Sequence, residues 1–434
     1  MLKDFQSHIS KNFPELLKNK FLLACSGGLD SVLLSYLCKQ NHMDFILAHC
    51  NFRLRGADSN GDEDFVKELG HRLGKPVYVT HFDTMGYVNN HNVSVQMAAR
   101  DLRYHWFKGL MEEHAIEYLV TAHHADDNLE TFLINLSRGT GIEGLTGIPE
   151  TSNQIRRPLL KFTRQRILEY AQECNLEWRE DESNSDTKYL RNKIRLEIVP
   201  KLKELHPTFM DNFERTLGYL KETREISKSE LKRVKRELFK TDGQHWKISI
   251  SELKKLQPIE GYLHGLFQEY GFTQWNDILL LLDALSGKTI YAENYVLLKN
   301  RNHLILGKNE GEEQEEFEIQ EGVIQIQQPI GLEIKQVSEK KDNQGNIIYV
   351  DKNTLKFPLT VRKWKEGDYF YPLGMQGKKK LSKYFKDEKL DLFAKKEQWL
   401  LCSNDEVVWV IGRRADDRFK VKDTTKQILS IAIQ

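Results

Sequence analysis

Cys25-Ser26-Gly27-Gly28-Leu29-Asp30-Ser31 gathers hydroxyls, glycines and a carboxylate into one short run. The glycines lack the Cβ atoms that would hold an oxyanion away from the backbone. Free N–H groups in a loop that opens a helix favour an anion such as phosphate. Ser26 and Ser31 add hydroxyl donors for the same oxygens. Asp30 would repel a phosphate, so it makes most sense as a ligand for a Mg2+ that travels with a nucleotide. Ser26, Gly27, Gly28, Leu29, Asp30 and Ser31 are therefore the candidate nucleotide site. The alternative is an ordinary Gly-Gly turn with Asp30 as a helix cap. No Gly-Lys-Ser/Thr follows, so the run is not a Walker A loop.

A second cluster is His123-His124-Ala125-Asp126-Asp127-Asn128-Leu129-Glu130. Carboxylates in the first turn of a helix gain about 0.3–1 kcal/mol from its dipole without any further role. Asp127 and Glu130 lie three apart on a common face beside two histidines, a set that could bind a metal, hold an amine or act as a base. Gln96, Arg100 and Arg103 also share a helical face. Guanidiniums there suit phosphate or a base edge, unless the face is only solvated. His49, Asn51, Arg53 and Arg55 form a further polar group, and Arg191, Lys193 and Arg195 put three cations in a short window.

Strand-like apolar runs cover residues 21–25, 44–50, 76–82 and 116–121, with helical patterns at 30–40, 58–73 and 94–114. This succession is the mark of a parallel sheet covered by helices. Ligands bind beyond the carboxyl ends of such strands, where the clusters at Ser26–Ser31, His49–Arg55 and His123–Glu130 begin. Leu129, Phe132, Leu133 and Leu136 keep the helical spacing that would bury one stripe. Arg156-Arg157-Pro158 reads as the exit from the sheet domain, and residues 163–174 as a capped amphipathic helix. A polar loop at 181–186 follows. Charged helical patterns such as 214–240 then suggest a helical middle region.

The chain has 434 residues, enough for two to three domains. Lys+Arg at 64 against Asp+Glu at 63 excludes a global basic field, so any nucleic-acid surface is local. The five cysteines form no Cys-x-x-Cys pair, which argues against zinc, iron–sulfur and disulfide frameworks and fits a reducing cytoplasm. Neither a signal peptide nor a membrane span is expected. Residues 310–316 are acidic and read as a linker. Beyond them come short alternating strands, with a hairpin around Ser403-Asn404-Asp405. Residues 362–396 hold eleven Lys/Arg against five Asp/Glu, interleaved with Trp364, Tyr369, Phe370, Tyr371, Tyr384 and Phe385. That texture favours RNA, or else a solvated surface over a small β core.

Ser26–Ser31 after a buried strand resembles the signature of the PP-loop, or N-type, ATP pyrophosphatases. With His49–Arg55, Gln96–Tyr104, His123–Thr131, Arg138–Gly144 and Asp181–Arg195 in this order, the chain resembles bacterial tRNA(Ile)-lysidine synthetase. The likeness is strong over residues 15–205 and weaker beyond, where residues 362–382 are similar to the family's C-terminal domain. It implies an α/β, parallel-sheet PP-loop nucleotide-binding domain (1–207), a mainly helical middle domain (208–309) and a small C-terminal α+β domain (310–434). The implied activity is ligation of free lysine to C2 of the wobble cytidine of a tRNA(Ile) with a CAU anticodon. ATP first adenylates the cytidine, and the product pairs with A rather than G.

In the implied site, Ser26, Gly27, Gly28, Leu29, Asp30 and Ser31 hold ATP, and Asp30 holds Mg2+. Asp127, Glu130 and Arg100 are the catalytic candidates, the two carboxylates recognising the lysine amine. His123, Arg103, Arg191, Arg195, Lys378, Lys379 and Lys380 are the substrate-binding candidates. A homodimer is the candidate assembly and the cytoplasm the expected location. The runner-up activities are a PP-loop tRNA thiolase, which shares adenylation, and a non-catalytic RNA-binding adaptor that senses ATP.

Overall fold

The computed structural model describes residues 1–54, 56–180, 190–309, 315–340 and 346–434. Arg55, the whole polar loop at 181–186 and most of the acidic linker lie outside the described residues. The chain divides into two compact units, Met1–Ser227 and Lys228–Gln434.

In the first unit, α1 (Leu2–Asn12) precedes β1 (Phe21–Ala24), α2 (Leu29–Gln40), β2 (Phe45–Asn51), α3 (Ala57–Leu73) and β3 (Val77–His81). Then come α4 (Thr84–His91), α5 (Val95–Glu113), β4 (Tyr118–Val120), α6 (Ala125–Ser137), β5 (Thr151–Ser152) and β6 (Ile155–Arg156). Among the described residues the sheet runs β3-β2-β1-β4-β6-β5. Every pair is parallel except β5 with β6. The strands and helices expected from the sequence are present to within a few residues, while α1 and α4 are additions.

The central strands are apolar on both faces because both are covered. Phe21, Leu23, Phe45 and Leu47 pack with residues of α1, α2 and α3. Leu22, Ile46 and Ala48 pack against Phe107, Leu110 and Met111 of α5. Strand order reverses between β1 and β4, so the loops leaving these two strands diverge and open a crevice at their carboxyl ends. The Ser26–Ser31 run leaves β1 and the histidine–carboxylate cluster leaves β4. Topology therefore brings together two motifs that lie about a hundred residues apart.

In the second unit the expected helical content is joined by an antiparallel sheet, in the order Phe239–Asp242, His245–Ser249, His303–Lys308, Tyr295–Asn300 and Thr289–Tyr291. It shares a core with helices Ile259–Phe267 and Trp275–Leu281. Two further antiparallel sheets follow and enclose a core that includes Ile334, Val361, Trp409 and Ile431. The expected hairpin joins Trp399–Ser403 to Glu406–Val410. Asn404 and Asp405 both take positive φ, at 49° and 62°, as a two-residue type I′ turn requires. No helix among the described residues is long and apolar enough to cross a membrane.

Candidate active site

The loop after β1 turns at Gly27, whose φ of +89° is open to glycine and strained for other residues. A Cβ there would also stand 3.3 Å from Val66 Cγ2. Gly28 is the N-cap of α2. The Ser26 hydroxyl accepts the Gly28 N–H at 3.3 Å, and the Ser31 hydroxyl donates to the Gly28 carbonyl at 3.0 Å. The two hydroxyls are 3.3 Å apart. Leu29 packs in the core, leaving only its backbone for a ligand. Arg179, which carries no sequence signal, fastens this loop: its N–H donates to the Gly27 carbonyl at 3.0 Å and its Nε to Asp62 at 3.0 Å.

Asp30 projects from the first turn of α2. Its Oδ2 is 3.2 Å from Arg164 Nη1 and 3.6 Å from His124 Nε2. Its Oδ1 is buried with no hydrogen-bond partner among the described residues. Burial, reinforced by Asp127, holds this carboxyl above its ordinary pKa against the pull of His124 and Arg164. Arg164 follows the N-cap Thr163 of helix Arg164–Glu173. A cation there opposes the helix dipole, and that misfit was the available signal that Arg164 serves a partner elsewhere.

α6 begins with a capping box built on a histidine. His124 Nδ1 accepts the Asp127 N–H at 3.3 Å, and Asp127 Oδ2 accepts the His124 N–H at 3.0 Å. An accepting Nδ1 puts the ring proton of the neutral imidazole on Nε2. That N–H faces Asp30 Oδ2 at 3.6 Å and Asp127 Oδ2 at 3.5 Å. The neighbouring Asp126 is structural, accepting the Arg164 N–H at 2.8 Å and pairing with Lys203. His123 Nδ1 lies 2.9 Å from the Thr121 hydroxyl. Burial, partly countered by Asp127, pushes the His123 imidazole down to about 4, so it is neutral near pH 7.

Asp127 and Glu130 do lie side by side, but each faces an arginine. Glu130, 1 % exposed, binds Arg195 through Nε at 2.6 Å and Nη2 at 3.0 Å, and Arg191 Nε at 2.8 Å. Arg195 Nη2 also reaches Asp127 Oδ1 at 3.1 Å. Burial would raise the Asp127 pKa, yet His124, His123 and Arg191 outweigh it and hold the carboxyl low. Four candidates drawn from two stretches thus form one neutral cluster.

Arg100 and Arg103 stay exposed. The first lies 4.9 Å over Tyr104 and the second 5.5 Å over Phe52, which stacks on Phe82. Asn51 organises that exit loop. Its Oδ1 accepts the Arg53 N–H at 3.0 Å, and its Nδ2 donates to Glu63 at 2.9 Å.

In the second unit Lys378 lies 4.9 Å over Tyr369, Lys379 pairs with Asp387 at 2.7 Å, and Lys380 precedes helix Leu381–Asp387. Phe370, Tyr384 and Phe385 are core residues. Arg362 is buried on Asp368. Tyr369, 41 % exposed, is the most accessible of the aromatics named for this stretch.

Residues 1–202 match the PP-loop domain model, 241–309 the TilS substrate binding domain and 359–431 the TilS substrate C-terminal domain. The tRNA(Ile)-lysidine synthase of Parabacteroides distasonis is 38% identical over 94% of this chain and 94% of its own. The chain belongs to the tRNA(Ile)-lysidine synthase family. The corresponding Bacteroides thetaiotaomicron protein is 35% identical over 97% of both chains, and that of Porphyromonas gingivalis 36% identical over 94% and 93%. The family likeness runs through both units, so the crevice and the C-terminal sheets belong to one family architecture.

Proposed function

We propose that the crevice between β1 and β4 carries both halves of lysidine formation. ATP adenylates the C2 oxygen of the wobble cytidine, releasing pyrophosphate, and the ε-amine of lysine then displaces AMP at C2. The observation that carries this reading is His124. One imidazole N–H faces Asp30 on the nucleotide loop and Asp127 on the amine side, at 3.6 and 3.5 Å. Activation and capture therefore adjoin, as a two-step transfer without release of an adenylated intermediate requires.

Ser26, Gly27, Gly28, Leu29 and Ser31 offer backbone and hydroxyl donors to the phosphates. Asp30 fits Mg2+, since its buried Oδ1 lacks a partner among the described residues and its raised pKa marks an undercompensated carboxylate. When bound there, Mg2+ supplies charge neutralisation for the phosphates.

Asp127, held ionised, recognises the ammonium, while Glu130 anchors Arg191 and Arg195 for the RNA. Arg100 and Arg103, without acidic partners among the described residues, meet phosphate or base. The domains divide at 1–207, 208–309 and 310–434, with the last gripping the tRNA body through Lys378, Lys379 and Lys380.

Thiolation is disfavoured because burial raises the Cys25 thiol and pushes Cys50 up to about 12, leaving neither as a ready thiolate. Nucleoside mass spectrometry after incubation with ATP, lysine and candidate tRNAs tests the proposal. A lysine-mass adduct on cytidine of the CAU tRNA(Ile) supports it, and a sulfur adduct or an unmodified product overturns it.

A further inference from the structure

One buried cation beside the crevice has no part in these steps. Arg157 follows β6, whose Arg156 pairs with Val120 of β4, and the Thr121 N–H donates to the Arg156 carbonyl at 3.0 Å. Arg157 is 7 % exposed. Its Nη1 donates to the Pro149 carbonyl at 2.8 Å, and its Nε has no hydrogen-bond partner among the described residues. No carboxylate among the described residues pairs with it. A buried guanidinium with an unmatched charge and an unused donor is costly to fold. Such a group gains most when an oxyanion completes it.

Its surroundings raise the local demand for an anion. Arg100 lies over the ring of Tyr104 at 4.9 Å, and the same tyrosine favours the charged form of Arg157. Burial and the Arg100 charge both work against the Arg157 cation. His123 stands two residues beyond Thr121, and Arg157 one beyond Arg156, so the paired strands β4 and β6 deliver both residues to the same carboxyl end of the sheet, where α6 presents Asp127.

We infer that Arg157 binds the α-carboxylate of the free lysine. The inference rests on the lysidine-forming reading of the site and adds how the enzyme tells an amino acid from a simple amine. A side chain with an ammonium end needs only Asp127, whereas an α-amino acid carries an anionic end that demands a cation. The buried position of Arg157 suits a small carboxylate better than a bulky RNA backbone.

The test compares lysine with cadaverine, which is lysine without its carboxylate, as amine donors to the CAU tRNA(Ile). The wild-type chain should prefer lysine by about a hundredfold or more in kcat/KM, as expected when a buried polar group loses its partner. Arg157→Gln should raise the lysine KM and shrink that preference to within about tenfold, and Arg157→Lys should restore part of it.

Pyrophosphate release that depends on tRNA but not on lysine is the control for the underlying reading. Its absence in the wild-type chain removes that reading and this inference together. Its presence with an unchanged lysine-to-cadaverine ratio in Arg157→Gln overturns the inference alone. A raised tRNA KM with flattened salt dependence, at constant ratio, assigns the guanidinium to an RNA phosphate and also overturns it. Should Arg157→Gln not fold, Arg157→Lys carries the same comparison: a lysine-to-cadaverine ratio between those limits is expected, and an unchanged ratio overturns the inference.

Discussion

Asp30, Asp127 and Glu130 are three carboxylates in one crevice, and their partners separate their roles. Asp30 has a buried oxygen without a partner among the described residues, so Asp30→Asn should cut tRNA-dependent pyrophosphate release by about a hundredfold or more. Stoichiometric ADP and phosphate in place of AMP and pyrophosphate would refute the phosphate-loop assignment. Asp127→Asn keeps an oxygen that can accept the His124 N–H, so the cap survives while the negative charge proposed to meet the ammonium is lost. A lysine KM raised by about tenfold or more with little change in melting temperature is expected. Glu130→Gln should behave differently. It strips the counter-charge from two arginines, and breaking such a buried pair costs about 3–5 kcal/mol, which thermal denaturation would register. His123 supplies a pH test. Its folded pKa of about 4 lies below the usual 6.5, so the unfolded chain takes up the proton first. Stability should therefore fall as pH drops from about 6.5 towards about 4 and level off below that. Denaturant unfolding across this range should show a shallower slope in His123→Gln, and an unchanged slope would assign the effect to other groups.

At the scale of elements, the phosphate loop depends on three supports. Gly27 supplies the positive φ, the β1 strand aims the loop, and Arg179 ties it to α3 through Asp62. Gly27→Ala adds a Cβ at 3.3 Å from Val66 and forces a strained backbone. A loss of roughly 1–3 kcal/mol follows from the strain, and the ATP KM should rise further than stability alone explains. Unchanged ATP kinetics in a folded Gly27→Ala chain would show that the loop does not approach the phosphates closely. The cap of α6 is the second such element. Its histidine does local work for the helix and also aims its ring proton at two carboxylates, so position and chemistry are coupled in one residue.

Across the whole molecule, the basic stretch at 362–396 supplies packing as well as charge. Phe370, Tyr384 and Phe385 form a core, and Phe393 packs with Val296, Leu298 and Ile305 of the preceding sheet. Truncation near residue 310 would strip that contact, so charge reversal is the cleaner probe of RNA binding. Lys378→Glu alters a cation that lies over Tyr369 and has no acidic partner among the described residues, whereas Lys379→Glu also breaks a pair with Asp387. If Lys378 contacts a phosphate, its replacement should weaken tRNA binding and reduce the slope of log K against log salt by about 0.7–0.9. Equal slopes for the wild-type and Lys378→Glu chains would make this face a solvated one.

The amino-acid sequence by itself determined the alternation of strands and helices in the first unit, the Ser26–Ser31 loop between strand and helix, and the hairpin around Ser403-Asn404-Asp405. These follow from local patterns: apolar periodicity, glycine before a helix, and a turn dipeptide between strands. It also placed Asp127 and Glu130 on one helical face, because three-residue spacing does so wherever the helix goes. Only the tertiary structure decided that Arg191 and Arg195 come back onto those carboxylates, since their pairing closes across more than sixty residues. The same holds for Arg164 on Asp30, for Arg179 on the Ser26–Ser31 loop and for Arg157, with which no carboxylate among the described residues pairs. A charged side chain read in sequence has no partner, and its role is set by which opposite charge the fold delivers to it. Sequence pattern reports which groups are present and how they are spaced along one element; electrostatic pairing across elements is a property of the packed chain.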